Sequence, residues 1–165
     1  MKNFIIEIKW SLIVGILGLI WIFIEKHFGY HNDKVGYYQL FSILFFPIMA
    51  LGYVLCLREK KQKYYNGNMS WTHGFISGIF LSAFLTILAP FGQFITHNFI
   101  SPDMSANAIE LATSKNTMTL EQATTYYNLN SFMMQSVFST LSTGIVTGAV
   151  VAYFLRTKKT PNYEG

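Results

Sequence analysis

The chain has 165 residues with a formal net charge of +4; 52% of its residues are hydrophobic, 17% aromatic and only 12% charged. Soluble domains average about 25% charged residues, and the mean hydropathy here is +0.33. These totals exclude a disordered chain, a disulfide scaffold (Cys56 is the single cysteine) and an ordinary cytosolic enzyme, and they fit one integral membrane domain spanning residues 1–165.

A spanning helix needs roughly 20 mostly apolar residues, because every backbone polar group must be satisfied inside lipid. Four stretches qualify: residues 4–24, 37–57, 72–95 and 132–155. The first carries Glu7 and Lys9 at its start. Both are expected at headgroup depth, with Lys9 reaching outward. This stretch is long and lacks a small-residue cleavage pattern, so it reads as a retained span rather than a signal peptide. Pro47 and Pro90 are expected to bend the second and third spans. Between those spans, Asn66-Gly67 offers a tight turn and Ser70 an N-cap.

The link over residues 97–131 is the one long connection. Ser101-Pro102-Asp103 reads as a helix start, with Ser101 as the cap and proline at the first position. Thr119 and Gln122 have capping-box spacing. Two short, weakly amphipathic helices are therefore expected outside the membrane, between spans three and four.

Nine of the twelve Lys and Arg residues fall on one side: Lys2, Lys9, Arg58, Lys60, Lys61, Lys63, Arg156, Lys158 and Lys159. Lys26, Lys34 and Lys115 fall on the other. Cytoplasmic loops carry the excess of basic residues, so both termini are expected to be cytoplasmic, in a bacterial inner membrane. The loop from Arg58 to Lys63 also suits anionic membrane lipids. It is too small a surface for nucleic acid, which is not an expected partner.

Small residues recur every fourth position in two spans. Gly74, Gly78, Ser82, Thr86 and Pro90 form one series; Ser136, Thr140, Gly144, Gly148 and Ala152 form the other. Each series is a single helical stripe. In lipid, such stripes let backbones approach closely, within one chain or against a second copy or another membrane protein. The expected packing residues are Gly74, Gly78, Ser82, Ser136, Thr140, Gly144 and Gly148. A shorter series, Ser11, Gly15 and Gly18, marks the first span.

Gln93 and Gln135, with Ser139 and Thr140, are the residues that would line a polar path, if one exists. No Asp, Glu, Lys or Arg lies in the middle of a span, where proton-coupled pumps place such a group. Glu25, His27, His31, Asp33 and His97 gather at the outer side, but their spacing matches no metal site. Neither a catalytic residue nor a metal or other cofactor is expected; phosphate loops, nucleophile elbows and paired cysteine motifs are lacking from the sequence.

Arg58, followed by Gly67-x-Met69-Ser70-Trp71-x-x-Gly74-Phe75-x-x-Gly78, resembles a bacterial membrane family known as domain of unknown function 4199. Met69 and Trp71 stand where isoleucine and phenylalanine are common in that family. The resemblance implies four spans, with short helical segments in the one long link, and no chemistry.

The sequence thus predicts an all-α, four-span membrane bundle with two short extramembrane helices. The function expected is that of a non-enzymatic accessory or assembly component acting through helix packing. The alternative is a small oligomeric channel or solute transporter.

Overall fold

The computed structural model describes residues 4–157. Lys2, Lys158 and Lys159, which enter the charge asymmetry, lie outside the described residues. The described chain is all-helical, without a strand, and four of its helices are long and apolar enough to cross a membrane.

Helix α1 spans Ile5–His27. The second crossing is composite. A 3-10 turn (Val35–Tyr37) leads into α2 (Tyr38–Ser42), a second 3-10 turn (Ile43–Phe45) and then α3 (Phe46–Lys63). Helix α4 spans Trp71–Ile95 and widens into a π turn over Thr96–Ile100. The link then forms α5 (Met104–Ser114) and α6 (Leu120–Tyr126), and α7 (Leu129–Leu155) completes the chain.

The helices outrun the apolar stretches that announce them. Helix α3 continues through Arg58, Lys60 and Lys61 to Lys63, because cations suit the negative end of a helix. What stops it is the turn at Asn66 and Gly67, whose φ angles of 48° and 83° are left-handed. Pro47 falls in the first turn of α3, where its missing N–H is not needed. The irregularity of the second crossing lies ahead of it, in the 3-10 turn. Pro90 sits inside α4, which runs on to Ile95.

Caps follow the side chains. Ser70 Oγ accepts from the His73 N–H at 3.2 Å. Thr119 and Gln122 form a reciprocal capping box. Asn128 caps α7 through the Ser131 N–H at 2.9 Å. Ser101 departs from expectation. It caps nothing, and α5 starts only at Met104, because the Ser101 hydroxyl is drawn instead to His31 Nδ1, 2.7 Å away.

Helices α4 and α7 share the most extensive contact; α1 packs on α4 and α3, and α3 on α7 and α4. A methyl group on Gly78 would lie 2.8 Å from Gly148 Cα, and one on Gly148 would lie 3.0 Å from Gly78 Cα. The two helices therefore meet backbone to backbone. Gly74 faces Ala152 of α7 one turn away. Gly144 makes room for a hydrogen bond between Tyr53 and Ser82, 2.8 Å long, at a point where α3, α4 and α7 converge. Around this axis Val14, Cys56, Leu57, Leu81, Leu85 and Val151 are buried.

The outward faces are apolar. On α1 they carry Leu12, Ile16, Ile20 and Phe23, all at least half exposed. The covered face of the same helix holds Glu7, Ser11, Val14 and Glu25. Polar inside and greasy outside is the arrangement that lipid favours.

Replacing Gly78 by alanine drives a methyl group into backbone that has no side chain to move. The expected loss is about 1–3 kcal/mol, read as a lower midpoint of thermal unfolding in detergent. Gly92→Ala is the control, since nothing lies within 4 Å of its new methyl; it should leave the midpoint unchanged or raise it.

Candidate functional site

Ionisable groups collect in two places, one at each end of α1. At the end carrying the chain termini, Glu7 is fully enclosed and the buried Lys60 of α3 reaches it, with Nζ 2.9 Å from one carboxylate oxygen and 3.2 Å from the other. The Lys60 ammonium also lies 4.5 Å from the Tyr64 ring centroid. Glu59, next along α3, faces the other way. It binds Lys9, accepts from Trp10 Nε1 at 2.7 Å and pairs with Lys63 at 3.0 Å. Glu7 therefore points into the protein and not outward from the start of its span. It is held inside the protein by a cation from a different span, since a carboxylate in a low-dielectric site needs one.

At the opposite end, Glu25 is 2% exposed and sits within a polar nest. Trp21 Nε1 donates to its carboxylate at 2.9 Å and Ser42 Oγ at 2.5 Å. His31, wholly buried, brings Nε2 to 3.5 Å from the second carboxylate oxygen, while its Nδ1 meets Ser101. Asn107 of α5 donates to the His31 carbonyl at 3.0 Å, and Lys26 binds the carbonyl of Ile100. Tyr38 adds its ring against His31, centroids 5.7 Å apart. This nest joins α1, the following turn, α2, the end of the third crossing and α5. A methyl on Gly36 would come 2.9 Å from Leu111, so α5 also seats on the 3-10 turn before α2.

Ser101, His31 and Glu25 stand in the order of hydroxyl, imidazole and carboxylate. A hydrolytic triad needs more: an approach for substrate and N–H donors for an oxyanion. Here Ser101 is 5% exposed, and its own N–H is committed to the Thr96 carbonyl. The geometry is that of a clamp holding separate segments together.

The remaining outer groups do not join it. His27 and Asp33 are exposed. His97 is buried, with Nδ1 3.0 Å from the Gln93 carbonyl and its ring against Phe132. Among the described residues, no group of three His, Cys, Asp or Glu side chains is placed to hold a metal.

The small-residue series divides. Gly74, Gly78, Ser82, Gly144 and Gly148 lie in the α4–α7 contact and are buried. Ser136 and Thr140, nearer the link end, are only half-buried, and Ser136 turns its hydroxyl to the Met133 carbonyl of its own helix. Gln93 and Gln135 are half-buried on different helices. Two surface hollows, one beside Tyr30 and Leu44 and one beside Arg58 and Arg156, are lined by other residues than Gln93, Gln135, Ser139 and Thr140.

Sequence reasoning missed the Glu7–Lys60 pair and the Glu25 nest. The available signal was spacing. Glu7, Ser11, Val14, Gly18, Trp21 and Glu25 share one face of a helix whose other residues, apart from Lys9, Lys26 and His27 near its ends, are apolar, and in lipid that face points to protein.

Among known proteins, the model of a family described as "Protein of unknown function (DUF4199)" matches residues 9–157. No curated protein and no solved structure matches the chain.

Two outcomes test the clusters. Lys60→Met strands the Glu7 carboxylate and should destabilise the protein by about 3–5 kcal/mol, whereas the double change Glu7→Met with Lys60→Met should recover most of that loss; chemical unfolding in detergent measures both. His31→Ala should raise amide exchange across 104–114, the segment it clamps, and leave exchange in α4 and α7 near the native level.

Proposed function

The chain belongs to the DUF4199 family, and from its geometry we propose that it is a non-enzymatic accessory or assembly component of a bacterial inner membrane, with both termini cytoplasmic. It works by docking one helical face against another membrane protein. The charge asymmetry between the two ends supports the orientation.

The observation that carries this reading is the outward face of α7. Gln135, Ser139 and Ser142 share one side of that helix, and Ser139 and Ser142 are exposed. Among the described residues, none of the three makes a side-chain hydrogen bond. Met134 and Phe138 flank them, 57% and 63% exposed. Other polar side chains of the crossings are bonded: Ser82 to Tyr53, Ser42 to Glu25, and Thr147 to the Thr143 carbonyl of its own helix. Interhelical contacts in membranes use such outward-turned polar side chains. The buried clusters join parts of the chain to one another.

The alternative, an oligomeric channel or solute transporter, would use the same stripe to line water rather than to meet a partner. Ser139→Cys separates the two, because the native Cys56 is fully buried and stays silent. In native membranes this variant, labelled with a maleimide–benzophenone reagent and irradiated, should crosslink to a neighbouring protein or a second copy, and Ile16→Cys on the lipid face of α1 should not. Only monomer at both positions would defeat the docking reading. Rapid labelling of Ser139→Cys by a membrane-impermeant thiol reagent would favour the channel.

A further inference from the structure

The end of the protein that carries the termini holds a shallow hollow between the last turns of α3 and the end of α7. Arg58, Lys61 and Gln62 line it from α3, Arg156 and Phe154 from α7, and Gly67 from the intervening loop. The loop is fixed there. The Thr157 N–H donates to the Met69 carbonyl at 2.8 Å, the Met69 N–H donates to Thr157 Oγ1 at 3.0 Å, and Met69 is fully buried.

Among the described residues, three cations line this hollow and no acid does. Glu59, the nearest acid in the sequence, is engaged by Lys9, Lys63 and Trp10. Lys61 donates to the Leu155 carbonyl at 2.8 Å and so offsets the negative end of α7. Arg58 is exposed and has no acidic partner among the described residues; Arg156 stacks on Tyr153, 4.1 Å from the ring centroid, and also has none. Both lie where two crossings end, the level of lipid headgroups. Phe154, at 78% the most exposed large apolar residue, borders the same hollow.

We propose that this hollow is a binding site for an anionic phospholipid, whose phosphodiester sits between Arg58 and Arg156 while its acyl chain runs down past Phe154. Guanidinium groups present two parallel donors to phosphate oxygens, a fit that a lysine does not reproduce. The absence of a lining carboxylate sets the selectivity. A zwitterionic headgroup brings an ammonium that would face three cations, whereas the glycerol headgroup of an anionic lipid such as phosphatidylglycerol brings none. Free phosphate shares the phosphodiester chemistry but has no chain for the apolar border. The site is independent of the α7 docking face, which lies towards the other end of the helix.

Native mass spectrometry of the detergent-purified protein tests the assignment, with phosphatidylglycerol and phosphatidylcholine offered at equal concentration. The native chain should retain phosphatidylglycerol in preference. Arg58→Gln with Arg156→Gln should weaken that retention by about thirtyfold, or about fivefold per cation near a membrane surface. Lys115→Gln, at the opposite end, should leave it unchanged. Arg58→Lys with Arg156→Lys keeps both charges and any structural part they play, and should bind measurably better than the glutamine pair. Equal retention of the two lipids, glutamine and lysine pairs that bind alike, or full displacement of the lipid by equimolar inorganic phosphate would each overturn the proposal.

Discussion

Hydrophobic force between helices vanishes in lipid, so something else must decide which crossings touch. Here it is the approach of Gly78 to Gly148, close enough that neither position has room for a methyl group. The contact brings α4 and α7 together along one line and sets the distance at which everything else attaches. Gly144, one turn along, leaves the space in which Tyr53 and Ser82 bond. That bond places α3 against the pair. Tyr53 is fully buried in a spanning segment, where an unpartnered hydroxyl would cost a few kcal/mol.

Helix α1 is attached by a different principle. Its two acids are eighteen residues apart, five turns along one face, or roughly 27 Å at 1.5 Å per residue. That matches the roughly 30 Å hydrocarbon core of a bilayer. Glu7 and Glu25 therefore stand near its two boundaries, and each is met by a base or by donors from another element. Along the middle of the helix, between Trp10 and Trp21, the contacts are those of shape, such as Gly52 against Val14 and Gly15 against Leu88. Ionic contacts at the rims and close-packed small residues in the middle divide the task by depth, as the dielectric profile of a membrane demands.

The four crossings were legible because apolar runs of that length have few other uses. The capping box at Thr119 and the cap at Ser70 were legible because they are local, decided by side chains three residues apart. Ser101 was misjudged for the complementary reason: its hydroxyl had a local use and a distant one, and the distant His31, seventy positions away, prevailed. The Glu7–Lys60 pair is similarly non-local. Each residue looks like an ordinary flank of its own span, and only the fold brings them together. The small-residue series was readable as a stripe, yet its division into a tightly packed half and a half-open half depends on how α4 and α7 separate towards the link, which no spacing rule encodes.

The order in which the chain is synthesised gives the Glu7–Lys60 pair one more consequence. Glu7 leaves the ribosome fifty-three residues before Lys60, so the first crossing reaches the insertion machinery with its acid unneutralised. Its acid meets Lys60 only once the second crossing lies beside the first, as a hairpin. Glu25 finds Ser42 within that same hairpin, but Ser101 arrives only after the third crossing. The partners that close the first hairpin are thus in the chain well before those that complete the outer cap.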